Sequence, residues 1–316
     1  MSSGTPNAIR LAFFGSPEFA VPTLRALIGS PWRPVVVVTQ PDRPAGRSRK
    51  LTAPPAKIAA EEAGVPVIQP ERLREPESVA ALAAYKPNLQ VIAAYGQIIR
   101  RAVLDLPAHG TLNVHASLLP RWRGAAPVAA AIRAGDSETG VTIMLVDEGV
   151  DTGAMLSKHV VPIRGTDTTA SLSERLAQIG ADLLLETIPR WIAGEIVAEP
   201  QDESRATKAP RLKKEEGRID WSESADQIAR TVRAFTPWPG ATTTLGDTLL
   251  RVRQAEAGPA VPGGKPGTVL QAEGWIGVQT GAGILILHEL QREGKRPMTA
   301  KAFARGERRF LGGRLG

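Results

Sequence analysis

The 316-residue sequence predicts an α/β fold in two parts: an open, mostly parallel Rossmann-like sheet, then a smaller C-terminal β-barrel, OB-like. Three observations lead there. Up to about residue 194, short apolar runs alternate with helix-like segments, the pattern of βαβ units. Leu89 to Tyr95 is apolar without polar alternation, as in a parallel strand buried on both faces. Beyond Arg218 the chain breaks into short β-like runs separated by turn residues, at intervals suited to a small barrel.

Ile9 to Phe14 is the first strand, ended by Gly15-Ser16-Pro17; a helix over Phe19 to Leu27 and a strand over Val35 to Thr39 complete a βαβ opening. Gln40 to Pro55 is a long polar insertion, with Arg43, Arg47, Arg49 and Lys50 among four prolines. Loops of that length often serve function, and these cations suit phosphates, although a solvated loop would read the same way. Pro55 to Ala63 reads as helix, Val65 to Ile68 as strand, Pro76 to Tyr85 as helix. Thr111 to Val114 is the next strand, and Ala125 to Ala134 a helix closed by Gly135. Strands over Gly140 to Val146 and Ser157 to Val161 precede a helix from Thr168 to Ala193, stopped by Gly194. Residues 7–194 thus form one domain, 195–212 a polar linker and 213–316 the second domain. There, Ser222 to Phe235 resembles a helix with Ser222 and Ser224 as possible caps. Strands follow at Ala241 to Leu245, Thr248 to Val252, Gly267 to Gln271, Trp275 to Gln279 and Gly283 to Leu287, with a last helical turn or two over Thr299 to Arg305.

Hydrophobic content of 42% and charged content of 22% are ordinary for a soluble globular protein. The absence of cysteine excludes disulfides, thiolate metal sites and a cysteine nucleophile. No basic-then-apolar export signal opens the chain, and no apolar run approaches a membrane span, so a cytoplasmic location is expected. The net charge of +7 is uneven: residues 205–316 hold 19 Lys/Arg against 11 Asp/Glu, the first 204 residues 20 against 21. A near-neutral first part joined to a basic second part fits catalysis in one and a polyanion grip in the other; a merely solvated basic surface is the plainer reading.

The chemistry concentrates in Leu112 to Pro127, LNVHASLLPRWRGAAP. Asn113 and His115 are two apart, so on an extended strand their side chains share a face. A loop follows, broken by Pro120 and Gly124. Downstream, Asp151 sits in Gly149-Val150-Asp151-Thr152-Gly153, a turn closing another apolar run. An amide donor, an imidazole and a carboxylate are the parts that steady an oxyanion and move a proton. Spacing alone leaves alternatives open, since lone histidines serve structurally and Asp before Thr-Gly is common turn chemistry. In parallel sheets ligands bind beyond the carboxyl ends of strands, so Gly15, Tyr95-Gly96, the 115–124 loop and Asp151 could line one edge. None of the four histidines is paired at metal-ligand spacing, so no metal is expected. The first turn has one glycine rather than Gly-x-Gly-x-x-Gly, there is no Gly-x-x-x-x-Gly-Lys loop, and Ser117 lacks a partner for Ser-His-Asp hydrolysis.

Asn113-x-His115-x-Ser117-Leu118-Leu119-Pro120, Arg121-Trp122-Arg123-Gly124 and Asp151-Thr152-Gly153 resemble the folate-dependent formyltransferases. The likeness runs nearly end to end. Gly15-Ser16-Pro17-Glu18-Phe19, the Thr39 to Arg47 stretch and Phe235-Thr236-Pro237-Trp238-Pro239 resemble the branch that acts on methionyl-tRNA. Two positions depart: Ala116 stands where the family has Gly, and Arg100 where it has Pro. The resemblance implies formyl transfer from 10-formyltetrahydrofolate to the α-amine of methionyl initiator tRNA; a monomer without metal is expected. Asn113 and His115 would donate to the oxyanion; Asp151 would orient His115, favour its protonated form and help move the proton. Ser117, Leu118, Leu119 and Pro120 would offer backbone contacts to the folate. Arg43, Arg47, Lys50, Lys208, Arg211, Lys213 and Lys214 would hold the tRNA. The nearest alternative is formylation of an amino-sugar nucleotide by the same trio; a non-catalytic RNA-binding protein belongs to another class. A purine-pathway formyltransferase would not need the basic last hundred residues.

Overall fold

The computed structural model describes residues 9–45, 50–259, 264–272 and 274–316. The chain divides into two compact units: Met1–Gly124, Thr139–Val161 and Ser173–Lys208 in the first, Ala125–Glu138, Pro162–Leu172 and Ala209–Gly316 in the second. Residues 195–208 of the expected linker therefore group with the first unit.

The elements come in the order β1 (Leu11–Gly15), α1 (Ala20–Ile28), β2 (Val36–Val38), β3 (Arg43–Ala45), β4 (Lys50–Thr52), α2 (Pro55–Glu62), β5 (Val67–Ile68), α3 (Pro76–Ala83), β6 (Leu89–Ala93), α4 (Arg101–Leu104) and β7 (Thr111–His115). Then come α5 (Pro127–Ala134), which lies in the second unit, β8 (Glu138–Leu145), β9 (Met155–Pro162) and the long α6 (Thr169–Ile192). Thr168 caps α6, its Oγ1 accepting from Ser171 N at 3.2 Å.

The first unit holds a seven-stranded sheet ordered β5-β2-β1-β6-β7-β8-β9. Strands β5, β2, β1, β6 and β7 are parallel, and β8 is antiparallel to β7. β1 and β6 are buried along their whole length, as expected of strands covered on both faces. The chain builds outward from β1 to β2 and β5, then returns to lay β6 on the other side of β1; such a reversal opens a crevice at the strands' carboxyl ends. Polar groups knit that end together: Ser16 Oγ accepts from Gln40 N at 2.9 Å, and Gln40 Nε2 donates to Tyr95 O at 3.1 Å. Gly15 is a packing requirement, since a Cβ there would lie 2.6 Å from Ala20 Cβ and 2.9 Å from Ala93 O. Among the described residues of the polar insertion, β3 pairs antiparallel with β4.

In the second unit, Ser224 caps α7 (Ala225–Ala234), its hydroxyl accepting from Gln227 N at 3.2 Å. The strands are β10 (Ala241–Leu245), β11 (Thr248–Gly258), β12 (Val269–Ala272), β13 (Trp275–Gln279), β14 (Ile284–Arg292) and β15 (Met298–Thr299), followed by α8 (Ala300–Gly306). They form an antiparallel sheet ordered β10-β11-β14-β13-β12, with β15 on β14. β11 and β14 run further than the apolar pattern predicts, because the ladder re-registers across a bulge between Val252 and Ala255 and continues through polar residues. The last residues close the sheet on itself. Val269 N donates to Gly313 O and Leu315 N to Gly267 O on the β12 side, while on the β10 side Thr244 N donates to Gly316 O and Gly316 N to Thr244 O. Inside lie Trp221, Ile228, Val232, Leu250, Val278, Leu290, Phe303 and Phe310.

Candidate active site

β7 reads TLNVH, and its pleat turns Val114 into the core while Asn113 and His115 take the other side together. His115 is held from both ring nitrogens. Nε2 lies 3.1 Å from Trp122 O, and a carbonyl can only accept, so the proton sits on Nε2. Nδ1 faces Asp151 Oδ1 at 3.6 Å. Asn113 Nδ2 donates to the same oxygen at 3.4 Å. The second carboxylate oxygen accepts from Gly124 N at 2.8 Å. The His115 side chain is 6% exposed and that of Asp151 18%, so the three groups meet where water screens little.

Asp151 arrives by an unexpected path. β8 runs antiparallel to β7, pairing Leu145 with Leu112 and Thr142 with His115, so its carboxyl end lies at the start of β7. The 146–153 turn folds back along β7 to bring the carboxylate to Asn113 and His115. Asp147 Oδ1 ties this turn, accepting from Gly149 N at 3.0 Å and from Thr152 Oγ1 at 2.6 Å. Gly153 has no room for a Cβ, which would fall 1.9 Å from Leu145 O. Asp151 itself has φ +54, in the left-handed region. Ala94 and Trp122, on the loops after β6 and β7, share it with φ +51 and +62. Such conformations persist in non-glycine residues where surrounding structure imposes them, commonly at functional sites.

What imposes the one at Asp151 is a clamp that the sequence did not reveal. Gln201 Nε2 donates to Asp151 O at 2.8 Å and to Gly153 O at 2.7 Å. Gln201 Oε1 accepts from Arg123 Nε at 2.9 Å, and the other two nitrogens of Arg123 fork onto Glu203 at 2.9 and 2.7 Å. That fork holds the Glu203 carboxyl below the usual carboxylate range. Gln201 and Glu203 lie in the stretch read as linker, where no periodicity or motif marks them.

The four residues expected to meet folate are placed unequally. Ser117 is buried, its Oγ donating to Arg121 O at 2.6 Å and its carbonyl accepting from Thr142 Oγ1 at 2.7 Å. Leu119 packs with Met144 and Met155 in a small buried cluster. Leu118 and Pro120 are half-buried, and Val150, next to Asp151, is exposed. Ala116 is buried, and Arg100 begins α4 in an extended conformation.

Among the expected tRNA contacts, Arg43 pairs with Glu71 at 2.8 Å on the surface, and Lys50 is exposed on the same hairpin. Arg47 lies outside the described residues. Lys208, Arg211, Lys213 and Lys214 are exposed. Among the described residues no group of His, Asp or Glu is placed to hold a metal ion, and no helix is long and apolar enough to cross a membrane.

Comparison with known proteins gives a consistent picture. Residues 9–188 match the sequence profile of formyl transferases and residues 211–308 that of the formyl transferase C-terminal domain. The chain is 48% identical over 311 residues to the methionyl-tRNA formyltransferase of Citrifermentans bemidjiense, covering 98% of this chain and 97% of that one. With the methionyl-tRNA formyltransferase of Halorhodospira halophila it shares 51% over 304 residues, covering 95% and 97%. Among solved structures it resembles in fold an N-formyltransferase from Helicobacter canadensis in complex with folinic acid and dTDP-3-aminofucose, at TM-score 0.64 and 18% identity, covering 90% and 99%.

Proposed function

The chain belongs to the formyl transferase family, and from that premise we propose that it moves a formyl group from 10-formyltetrahydrofolate to the α-amine of methionyl initiator tRNA. The observation that carries this reading is the convergence of Asn113 Nδ2 and His115 Nδ1 on one Asp151 oxygen, at 3.4 and 3.6 Å. An amide donor beside an imidazole, which donates from Nδ1 only when protonated, suits a carbonyl oxygen gaining charge as an amine attacks its carbon, with the carboxylate at hand for the proton. The folate supplies the formyl group on a nitrogen that departs as an amine, so the acceptor needs only to lose a proton. Asn113 steadies the developing oxyanion through Nδ2. His115, with Nε2 committed to Trp122 O, works through Nδ1. Asp151 orients that nitrogen and takes part in carrying the proton away from the attacking amine. The partly open Leu118 and Pro120 and the exposed Val150 give a flat heteroaromatic ring an apolar surface beside these donors, and the loop backbone gives it polar partners.

The acceptor is supported by relatives near 50% identity over almost the whole chain, and by the basic second part, which an amino-sugar nucleotide would not need. Replacing Asn113, His115 or Asp151 with Ala should each lower turnover by about 10² or more while leaving the fold intact. Single-turnover formylation with purified variants, checked for folding by circular dichroism, measures this. Near-normal turnover in folded His115→Ala would remove the mechanism. Competition between methionyl initiator tRNA and an amino-sugar nucleotide would decide the acceptor.

A further inference from the structure

The Phe235-Thr236-Pro237-Trp238-Pro239 segment has no part in the chemistry of the trio. Its neighbouring side chains are spent on structure: Phe235 is buried in the second unit, Thr236 Oγ1 donates to Val232 O at 2.7 Å, and Pro239 is buried. Trp238 is not, being 52% exposed, the one exposed tryptophan among the described residues. It is also held in place. Prolines on both sides restrict the backbone. Gly240 N donates to Phe235 O at 2.8 Å and closes the turn. Gly217 backs onto it so tightly that a Cβ there would lie 2.3 Å from Gly240 O. Of residues 209–220 and 235–244, Trp238 is the one exposed large hydrophobic side chain, flanked by the exposed ring of Pro237.

Cations lie against the residues that adjoin it, all within the second unit. The Arg251 guanidinium lies over Gly240, where a Cβ would meet Nε at 2.8 Å. Arg133 sits 5.3 Å above the Phe235 ring. The exposed Lys213 and Lys214 lead into the turn that ends at Gly217. The facing acids are Glu215 and Glu216, and Glu216 is already taken by Arg133 at 3.6 Å and Lys213 N at 2.7 Å. The surplus is positive. A rigid, exposed indole beside cations matches the chemistry of a stacked base with its backbone phosphates held alongside. A protein partner would call for a broader apolar face.

We propose that Trp238 is a stacking platform for an unpaired nucleobase of the tRNA, with Lys213, Lys214, Arg133 and Arg251 holding the adjoining phosphates. This rests on the reading that the acceptor is a tRNA. The test is equilibrium binding of initiator tRNA to the full chain across a salt series. Trp238→Ala should bind about tenfold more weakly, Trp238→Phe should keep most of the affinity, and Trp238→Leu should behave like the Ala variant, because a base needs a π face. The salt slope should be unchanged in the Trp238 variants and shallower in Lys213→Ala/Lys214→Ala. Affinity of Trp238→Ala within twofold of wild type, or a Leu variant as good as Phe, would overturn the proposal. Wild-type formylation of methionyl-tRNA, run alongside, separates this failure from failure of the functional reading, since only the latter would abolish it.

Discussion

Gln201 holds two backbone carbonyls with a single amide nitrogen, and through them the left-handed backbone at Asp151. Arg123 and Glu203 hold Gln201 in turn. The clamp touches no reacting atom, so its effect must run through the direction of the Asp151 carboxylate. Gln201→Ala should therefore lower kcat, by about tenfold, with little change in Tm, because misplacement of a catalytic group costs rate before it costs stability. Steady-state kinetics against both substrates, paired with a thermal melt, measures the two. Glu203 adds a pH dependence with a defined sign. Its carboxyl titrates lower in the fold than in the unfolded chain, so its contribution is present above about pH 4.3 and is lost as pH falls through its lowered value. Acid unfolding of Glu203→Gln should lack that component, which a pH titration monitored by circular dichroism detects.

At the scale of elements, β7 carries the chemistry because its alternation leaves Asn113 and His115 on one side while Val114 anchors the strand from the other. That anchoring depends on a close approach by α6. A Cβ on Gly180 would lie 2.6 Å from Val114 Cγ1 and 3.3 Å from Val141 Cγ1. Branched side chains at full packing cannot give way easily, so Gly180→Ala should overpack the site's own strand and cost ~1–3 kcal/mol. Differential scanning calorimetry should show a lower Tm. Turnover well below that Tm should also fall, since the strain lands between the two catalytic side chains. A more stable variant, from the gain in helix propensity alone, would mean that α6 yields instead.

For the molecule as a whole, charge and closure matter most. The excess of cations after residue 204 predicts that tRNA affinity falls steeply between about 50 and about 200 mM salt. A flat response in filter binding would remove the polyanion role of the second unit. Closure of its sheet rests on the final residues, which bond to β10 on one side and reach the β12 edge on the other. Deleting Gly312–Gly316 should expose both edges, and hydrogen exchange should show lost protection at the Thr244 and Val269 amides.

Much of this was legible in the residue order. Period-two and period-3.6 patterns, with Gly and Pro as punctuation, predict nearly every strand and helix, because those signals act within a few residues of chain. The Asn113-x-His115 pair needs only a pleat to share a face, so its geometry is local too. Asp151 is different: it follows a strand, as expected, but that strand is antiparallel, and only the returning turn brings the carboxylate to the site. The Gln201–Glu203 clamp and the closure at Gly316 are different for the same reason. Pairings that span tens of residues are decided by which surfaces pack together, and no local period encodes that choice.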